Sequence, residues 1–211
     1  MQRRQILKAA TALSAAILFS ARGSWSQDNL AKLMAPGPLP EKSFGFENAP
    51  VTVLEYASMT CGHCQNFHLN TWPEIKKQFV DTGKVRFILR EFPFDPRATA
   101  AFMLARCVGE DKWYAAIDLL FRTQEKWARA EDGKQAMLQV MAITGMTESQ
   151  FESCLSDQAL LEKVNAVAAT GRELGVDSTP TFFINGKMYA GALPLDEFKA
   201  IVDPLVEAAK R

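Results

Sequence analysis

Both histidines and two of the four cysteines of this 211-residue chain fall within eight positions, inside the stretch ASMTCGHCQNFH at residues 57–68. Three chemistries suit such a cluster: a metal clip, a structural staple and a redox-active dithiol. For a metal, the candidate ligands are Cys61, Cys64 and His68, with His63 or Met59 nearby. A structural zinc site is normally closed by four ligands, and Cys107 and Cys154 are too widely separated to supply a second Cys-x-x-Cys. The metal reading is therefore the weaker one.

The dithiol reading depends on what surrounds the cluster. Val51–Ala57 is an apolar run populated on both faces, as in a buried central strand. From Gly62 onward Cys64, His68, Trp72, Ile75 and Phe79 recur at helical spacing, with Pro73 expected to kink the helix. The cluster thus stands where a strand runs into a helix. There Cys61 occupies the helix N-terminus, whose unpaired N–H groups and dipole favour a thiolate, and Cys64 lies one turn further in. Cys61 is expected to be the exposed, reactive sulfur and Cys64 the buried resolving one. His63 can donate to the Cys61 thiolate, or pair with it when protonated; the bland alternative is a solvated loop histidine. His68 falls to helix packing. Glu55, an acid within the apolar strand, is expected to act as a proton acceptor or charge tuner near Cys64, the alternative being a strand-end acid that reaches solvent.

The wider chain supplies a frame for this junction. Val85–Phe92 reads as a second strand, parallel to the first through a right-handed crossover. Residues 97–174 hold almost no strand signal and several helical stripes, such as Val164, Ala168, Gly171 and Leu174, and read as an inserted helical subdomain. Strands return in PTFFINGKMYAG, where Asn185-Gly186 is a strong hairpin signal. A last amphipathic helix begins near Leu195, and Asp203-Pro204 is expected to break or recap it. The order is βαβ, helical insertion, ββα, an α/β architecture with a thioredoxin-like part at 44–96 and 175–211. No repeat interrupts it.

The N-terminus combines basic residues, Arg3, Arg4 and Lys8, with a charge-free run from Ala9 to Ser20 and a small-polar stretch ending at Ser26. It is expected to be a signal peptide over residues 1–26, with a twin-arginine-like pair, cleaved near Ser26. Residues 27–43, with Pro36, Pro38 and Pro40, are expected to form an extended leader. The full chain carries 24 basic and 24 acidic residues, and cleavage would remove four basic ones and no acid, leaving a net charge of −4. That balance does not invite nucleic acid or an anionic membrane surface. Export places the cysteines in an oxidising compartment, and the even count suits two pairs. Cys107 and Cys154 are expected to form a structural disulfide, the alternative being two buried free thiols.

CGHC at the strand-to-helix junction, Glu55 upstream, Pro73, the helical insertion and Thr179-Pro180 before TFFINGK together resemble the DsbA-type periplasmic thiol:disulfide oxidoreductases, which have a thioredoxin fold with an inserted helical domain. The resemblance spans nearly the whole chain from about Pro36. It implies that Pro180 is a cis-proline beside the dithiol, that it and Thr179 hold a substrate peptide, and that Thr179 tunes redox behaviour. It implies, too, a periplasmic monomer that donates the Cys61–Cys64 disulfide to reduced exported proteins, needs no cofactor beyond that dithiol, and is reoxidised by a quinone-linked membrane protein. The best-known members carry proline where Gly62 stands, so the motif reads like that of protein disulfide isomerase. Isomerase or reductase action is the alternative, against which the short leader argues, since such enzymes usually dimerise. Potentials of about −120 mV for DsbA, −180 mV for protein disulfide isomerase and −270 mV for thioredoxin frame the expectation of an oxidising protein, less extreme than DsbA.

Overall fold

The computed structural model describes residues 27–210. The expected signal segment, with Arg3-Arg4 and the cleavage position at Ser26, lies outside the described residues.

A five-stranded sheet organises the molecule. In chain order the strands are β1 (Lys42–Phe44), β2 (Val51–Ala57), β3 (Val85–Glu91), β4 (Thr181–Ile184) and β5 (Lys187–Ala190), arranged across the sheet as β1-β3-β2-β4-β5. β2 and β3 are parallel, with Val53 opposite Phe87, and every other pairing is antiparallel. β2 lies at the centre and is buried along both faces, which is why its sequence lacks the polar alternation of a half-solvated strand. Asn185 and Gly186 take positive φ values of 45° and 83° and close the β4–β5 hairpin. A Cβ on Gly186 would also meet the side chain of Leu30 at 2.8 Å, so glycine serves two demands at once.

Two apolar layers cover the sheet. On one side Val51, Val53, Phe87, Phe182 and Ile184 pack against Phe67, Trp72, Ile75 and Phe79, and against Phe198 and Val202. On the other, Leu54, Tyr56, Ile88 and Phe183 meet the helical insertion through residues such as Phe102, Leu120 and Val164.

The helical segment after the dithiol is not one regular α-helix. α2 (Gly62–Asn66) passes into a π-helical stretch at Phe67–Thr71, then α3 (Trp72–Ile75), then a second π stretch at Lys76–Val80. Pro73 has no N–H to return to the carbonyl of Leu69, and the backbone accommodates by wider turns, the Trp72 N–H reaching back to Phe67 O. The expected kink therefore takes the form of a π-bulge. The insertion comprises α4 (Pro96–Cys107), α5 (Trp113–Arg122), the short α6 (Gln124–Trp127), α7 (Gly133–Ala142), α8 (Glu148–Leu155) and α9 (Gln158–Glu173). Asp95, Asp132, Thr147 and Asp157 cap α4, α7, α8 and α9 through their side chains, each cap contributing about 1 kcal/mol. Cys107 at the end of α4 and Cys154 in α8 are joined by a disulfide.

Two expectations need correction. Residues 27–43 are not extended throughout: α1 (Gln27–Met34) is a helix, and Lys42 begins β1. An eight-residue helix is not stable alone; here Leu33 is buried, and the buried guanidinium of Arg90 donates to the carbonyls of Leu33 and Ala35 and to Glu41. The second correction concerns Pro204. It lies inside α10 (Leu195–Ala208) without ending it, because Phe198, Val202 and Val206 keep the helix packed across that point.

Candidate active site

β2 delivers the chain into a tight turn over Ser58–Cys61, closed by the Cys61 N–H on Ser58 O at 3.2 Å. Cys61 is the residue that caps α2, with extended backbone (φ −80°, ψ 119°), and Gly62 opens the helix. Cys61 is half-buried and Cys64 buried, both as free thiols. Their environments push them apart. The Cys61 thiol is lowered to about 5, chiefly by the Cys64 S–H; partial burial opposes this, while the Thr179 side chain and the backbone N–H groups of Cys64 and His63 reinforce it. Cys64 is pushed well up, first by burial, then by its bond to Cys61 and by the negative charge of Glu55. One sulfur is built to carry charge and the other to carry the proton.

His63 is exposed, and what it brings to Cys61 is its backbone N–H. The expected role of its imidazole gains no contact from this geometry. Glu55 is fully buried on β2 and does not reach solvent, and its Oε2 lies 2.9 Å from Nε2 of His68 in a hydrogen bond. His68 is therefore more than packing: it pairs with Glu55 while its ring stacks on Phe121 of the insertion at 4.5 Å. The i, i+4 spacing of Cys64 and His68 puts both on one helix face, but the partner of His68 on β2 is not visible in that spacing. Among the described residues no group of three or more His, Cys, Asp or Glu side chains is placed to hold a metal ion.

The Thr179–Pro180 peptide bond is cis. It presents the Thr179 carbonyl to Cys61 Sγ at 3.2 Å, so the chain just before β4 forms one wall of the site although it follows Cys61 by 118 residues. The Thr179 hydroxyl is buried without a hydrogen-bond partner of ordinary geometry, yet it favours the nearby Cys61 thiolate. Gly62 is exposed, and a Cβ there would meet nothing within 4 Å.

Contacts with the insertion and with Asp95 at its entry, none singled out from sequence, hold the other wall. Asp95, while capping α4 with one oxygen, accepts from Thr60 Oγ1 with the other at 2.5 Å. The buried Gln124 of α6 donates to the carbonyls of Met59 at 2.8 Å and Cys61 at 3.2 Å. Gln65 of α2 donates to Phe121 O at 2.9 Å. A cleft of about 390 Å³ opens beside this seam, bordered by Thr60, Gln124, Asp95, Arg97, Glu125 and Arg129.

Comparison with known proteins agrees with this architecture. A thioredoxin family model matches residues 40–204. The solved structure of alpha-DsbA1 from Wolbachia pipientis is similar with a TM-score of 0.76 at 30% identity, over 85% of this chain and 96% of that one. The fold of oxidised BdbD from Bacillus subtilis is also similar, at a TM-score of 0.71 and 21% identity, over 79% of this chain and 93% of that one. A relative in Rickettsia felis that carries the name of a protein-disulfide oxidoreductase is 30% identical over 171 residues, 79% of this chain. The chain spans only 60–64% of the length of the Rickettsia relatives it matches first. With a cis-proline beside the half-buried first sulfur of a Cys-x-x-Cys and helices inserted into the fold, the chain belongs to the thioredoxin family and is a DsbA-type member of it.

Proposed function

We propose that the protein is a thiol:disulfide oxidoreductase that donates the Cys61–Cys64 disulfide to reduced proteins. The observation that carries this reading is the asymmetry of the two thiols, lowered to about 5 at the half-buried Cys61 and raised at the buried Cys64. A substrate thiolate attacks Cys61 Sγ; the Cys61–Cys64 bond breaks and Cys64 leaves with the electron pair, taking up a proton that its raised affinity retains. The substrate's second thiolate then attacks its own first sulfur and expels Cys61 as a stable thiolate. The substrate loses two electrons and two protons and becomes the disulfide; the protein becomes the dithiol. A good leaving group at Cys61 is what makes the second step run forward.

In this reading Thr179 and Pro180 line the place where the substrate chain lies, and Glu55 with His68 tunes the charge beside Cys64. The N-terminal basic and apolar pattern supports export to the periplasm with cleavage near Ser26. No helix of the described residues is long and apolar enough to cross a membrane. Exported proteins with reduced cysteines are the clients, the working form is a monomer, and a quinone-linked membrane protein restores the disulfide. Glycine at position 62 favours a second role, isomerisation, over the strongest oxidising power.

Equilibration of the dithiol with glutathione, beside assays of reduced-protein oxidation and insulin reduction, tests the reading. A potential above about −200 mV with rapid oxidation is expected; one near the −270 mV of thioredoxin, with rapid insulin reduction, would make the protein a reductase instead.

A further inference from the structure

We propose that Gln124 is a positioning residue for Cys61: by holding the carbonyls of Met59 and Cys61 from the helical insertion, it keeps the turn before α2 in the one arrangement that aims backbone N–H groups at the Cys61 sulfur. This deepens the disulfide-donor reading and rests on it for its functional meaning.

The geometry is specific. Gln124 sits at the start of a four-residue helix, is 4% exposed, and spends its side-chain amide on two backbone oxygens of the active-site turn. Cys61 O is also the first acceptor of α2, receiving the Gln65 N–H at 3.0 Å. The Gln124 amide therefore fixes the same carbonyl that sets the direction of the helix start. That start supplies the His63 and Cys64 N–H groups which favour the thiolate. The amide also points its positive end at carbonyls beside a sulfur that bears negative charge in the reduced form, and withdraws part of their opposing dipole. Nothing comparable is asked of the disulfide form, where Cys61 is uncharged. Gln124 thus favours the dithiol over the disulfide, and a favoured dithiol is what makes a disulfide oxidising.

A merely structural residue would stabilise both redox forms alike, and this separates the two roles. Gln124→Met keeps the bulk and removes the donors; Gln124→Glu keeps the shape and sets a carboxylate against the same carbonyls. In Gln124→Met the equilibrium with glutathione is expected to move about tenfold toward the disulfide form, about 30 mV for a two-electron couple. The thiolate absorbance of Cys61 should titrate with an acid dissociation constant about tenfold smaller. Gln124→Glu should move both further in the same direction. Asp95, Arg97, Glu125 and Arg129 border the cleft beside Gln124, and Glu55 and His68 lie on the sheet side; all are unchanged in Gln124→Met, so its shift reads the turn itself. Trp127→Phe, which removes the bond to Leu120 O within the same part of the insertion, should lower melting of both forms and leave the equilibrium where it was.

Equal loss of stability in the two forms of Gln124→Met, with an unmoved equilibrium and titration, would overturn the proposal, as would a shift of the same size in Trp127→Phe. A measurement on the unmodified protein covers the case in which the variants do not fold. The Gln124 side-chain amide protons should exchange slowly and change their NMR shift between dithiol and disulfide forms, and fast exchange with an unchanged shift would sink the idea. If the unmodified protein fails to oxidise reduced proteins, the donor reading falls, yet the titration and the glutathione equilibrium still decide the role of Gln124.

Discussion

The two cysteine pairs of this chain are chemically identical and structurally opposite. Cys61 and Cys64 are three residues apart, free, and stationed where backbone N–H groups converge. Cys107 and Cys154 are 47 residues apart and bonded, tying the end of α4 to α8 inside the insertion. The first pair spans one helical turn, so its disulfide closes almost no loop and its formation can be reversed for the sake of chemistry. The second closes a long loop, so its value lies in the chain freedom it removes from the unfolded state. What makes a cysteine reactive or structural is thus the number of donors around the sulfur and the length of chain between partners.

Removing sulfurs separates the two pairs most directly. Cys61→Ala is expected to abolish oxidation of reduced substrate proteins, with loss of at least a thousandfold in turnover, whereas Cys64→Ala treated with oxidised glutathione should hold the Cys61–glutathione mixed disulfide, visible by mass spectrometry, because no neighbouring thiol resolves it; substantial residual turnover in Cys61→Ala would mean that the second pair exchanges. The double variant Cys107→Ala with Cys154→Ala is expected to lose up to about 4 kcal/mol of stability in denaturant unfolding. Its glutathione equilibrium at Cys61–Cys64 should stay within twofold of the parent. A redox shift there would show the two pairs to be coupled.

A smaller change sharpens the account of the first pair. Gly62 is exposed and has open space around a would-be Cβ. It stands at the first position of α2, where proline is well tolerated, and the N–H groups that favour the thiolate belong to its neighbours His63 and Cys64. Gly62→Pro should therefore fold normally and move the glutathione equilibrium by about tenfold toward a more oxidising disulfide, or about 30 mV. An unchanged potential would assign redox tuning to groups other than this position.

The gentlest test is pH. The Cys61 thiol is lowered from an ordinary 9.0 to about 5 in the folded dithiol. A depressed acid contributes stability that is fully present above its unfolded value and is lost as pH falls through its folded one. The stability of the dithiol form relative to the disulfide form should therefore fall steadily from about pH 8 toward about pH 5 and level off below it. Cys64, raised by burial, stays protonated in the fold, and because its ordinary value is 9.0 it adds an opposing slope only at the top of this range. Paired melts of the two forms across pH check this, and a flat difference between pH 9 and pH 5 would contradict an ionised Cys61.

Much of this contrast was legible in local pattern. The apolar run of β2, the helical stripe from Cys64 to Phe79 and the Asn185-Gly186 turn each satisfy a short-range rule, so they read correctly from a few residues. Short elements did not. α1 and β1 have little intrinsic stability, and they exist because Leu33, Arg90 and the edge of β3 receive them. Pro204 misled in the other direction, since packing along α10 outweighs one missing hydrogen bond.

The same division runs through the site. Local sequence was enough for the close-spaced pair, its place at a strand-to-helix junction and the resulting inequality of Cys61 and Cys64, because a Cys-x-x-Cys at a helix start carries its own geometry. The folded chain adds the groups that surround the pair: Thr179 at Cys61, His68 at Glu55, and Gln124 and Asp95 on the turn before α2. Those partners are brought in by sheet pairing and by the docking of the insertion. They lie 13 to 118 residues from the groups they touch, and no periodicity in the chain records contacts made across such distances.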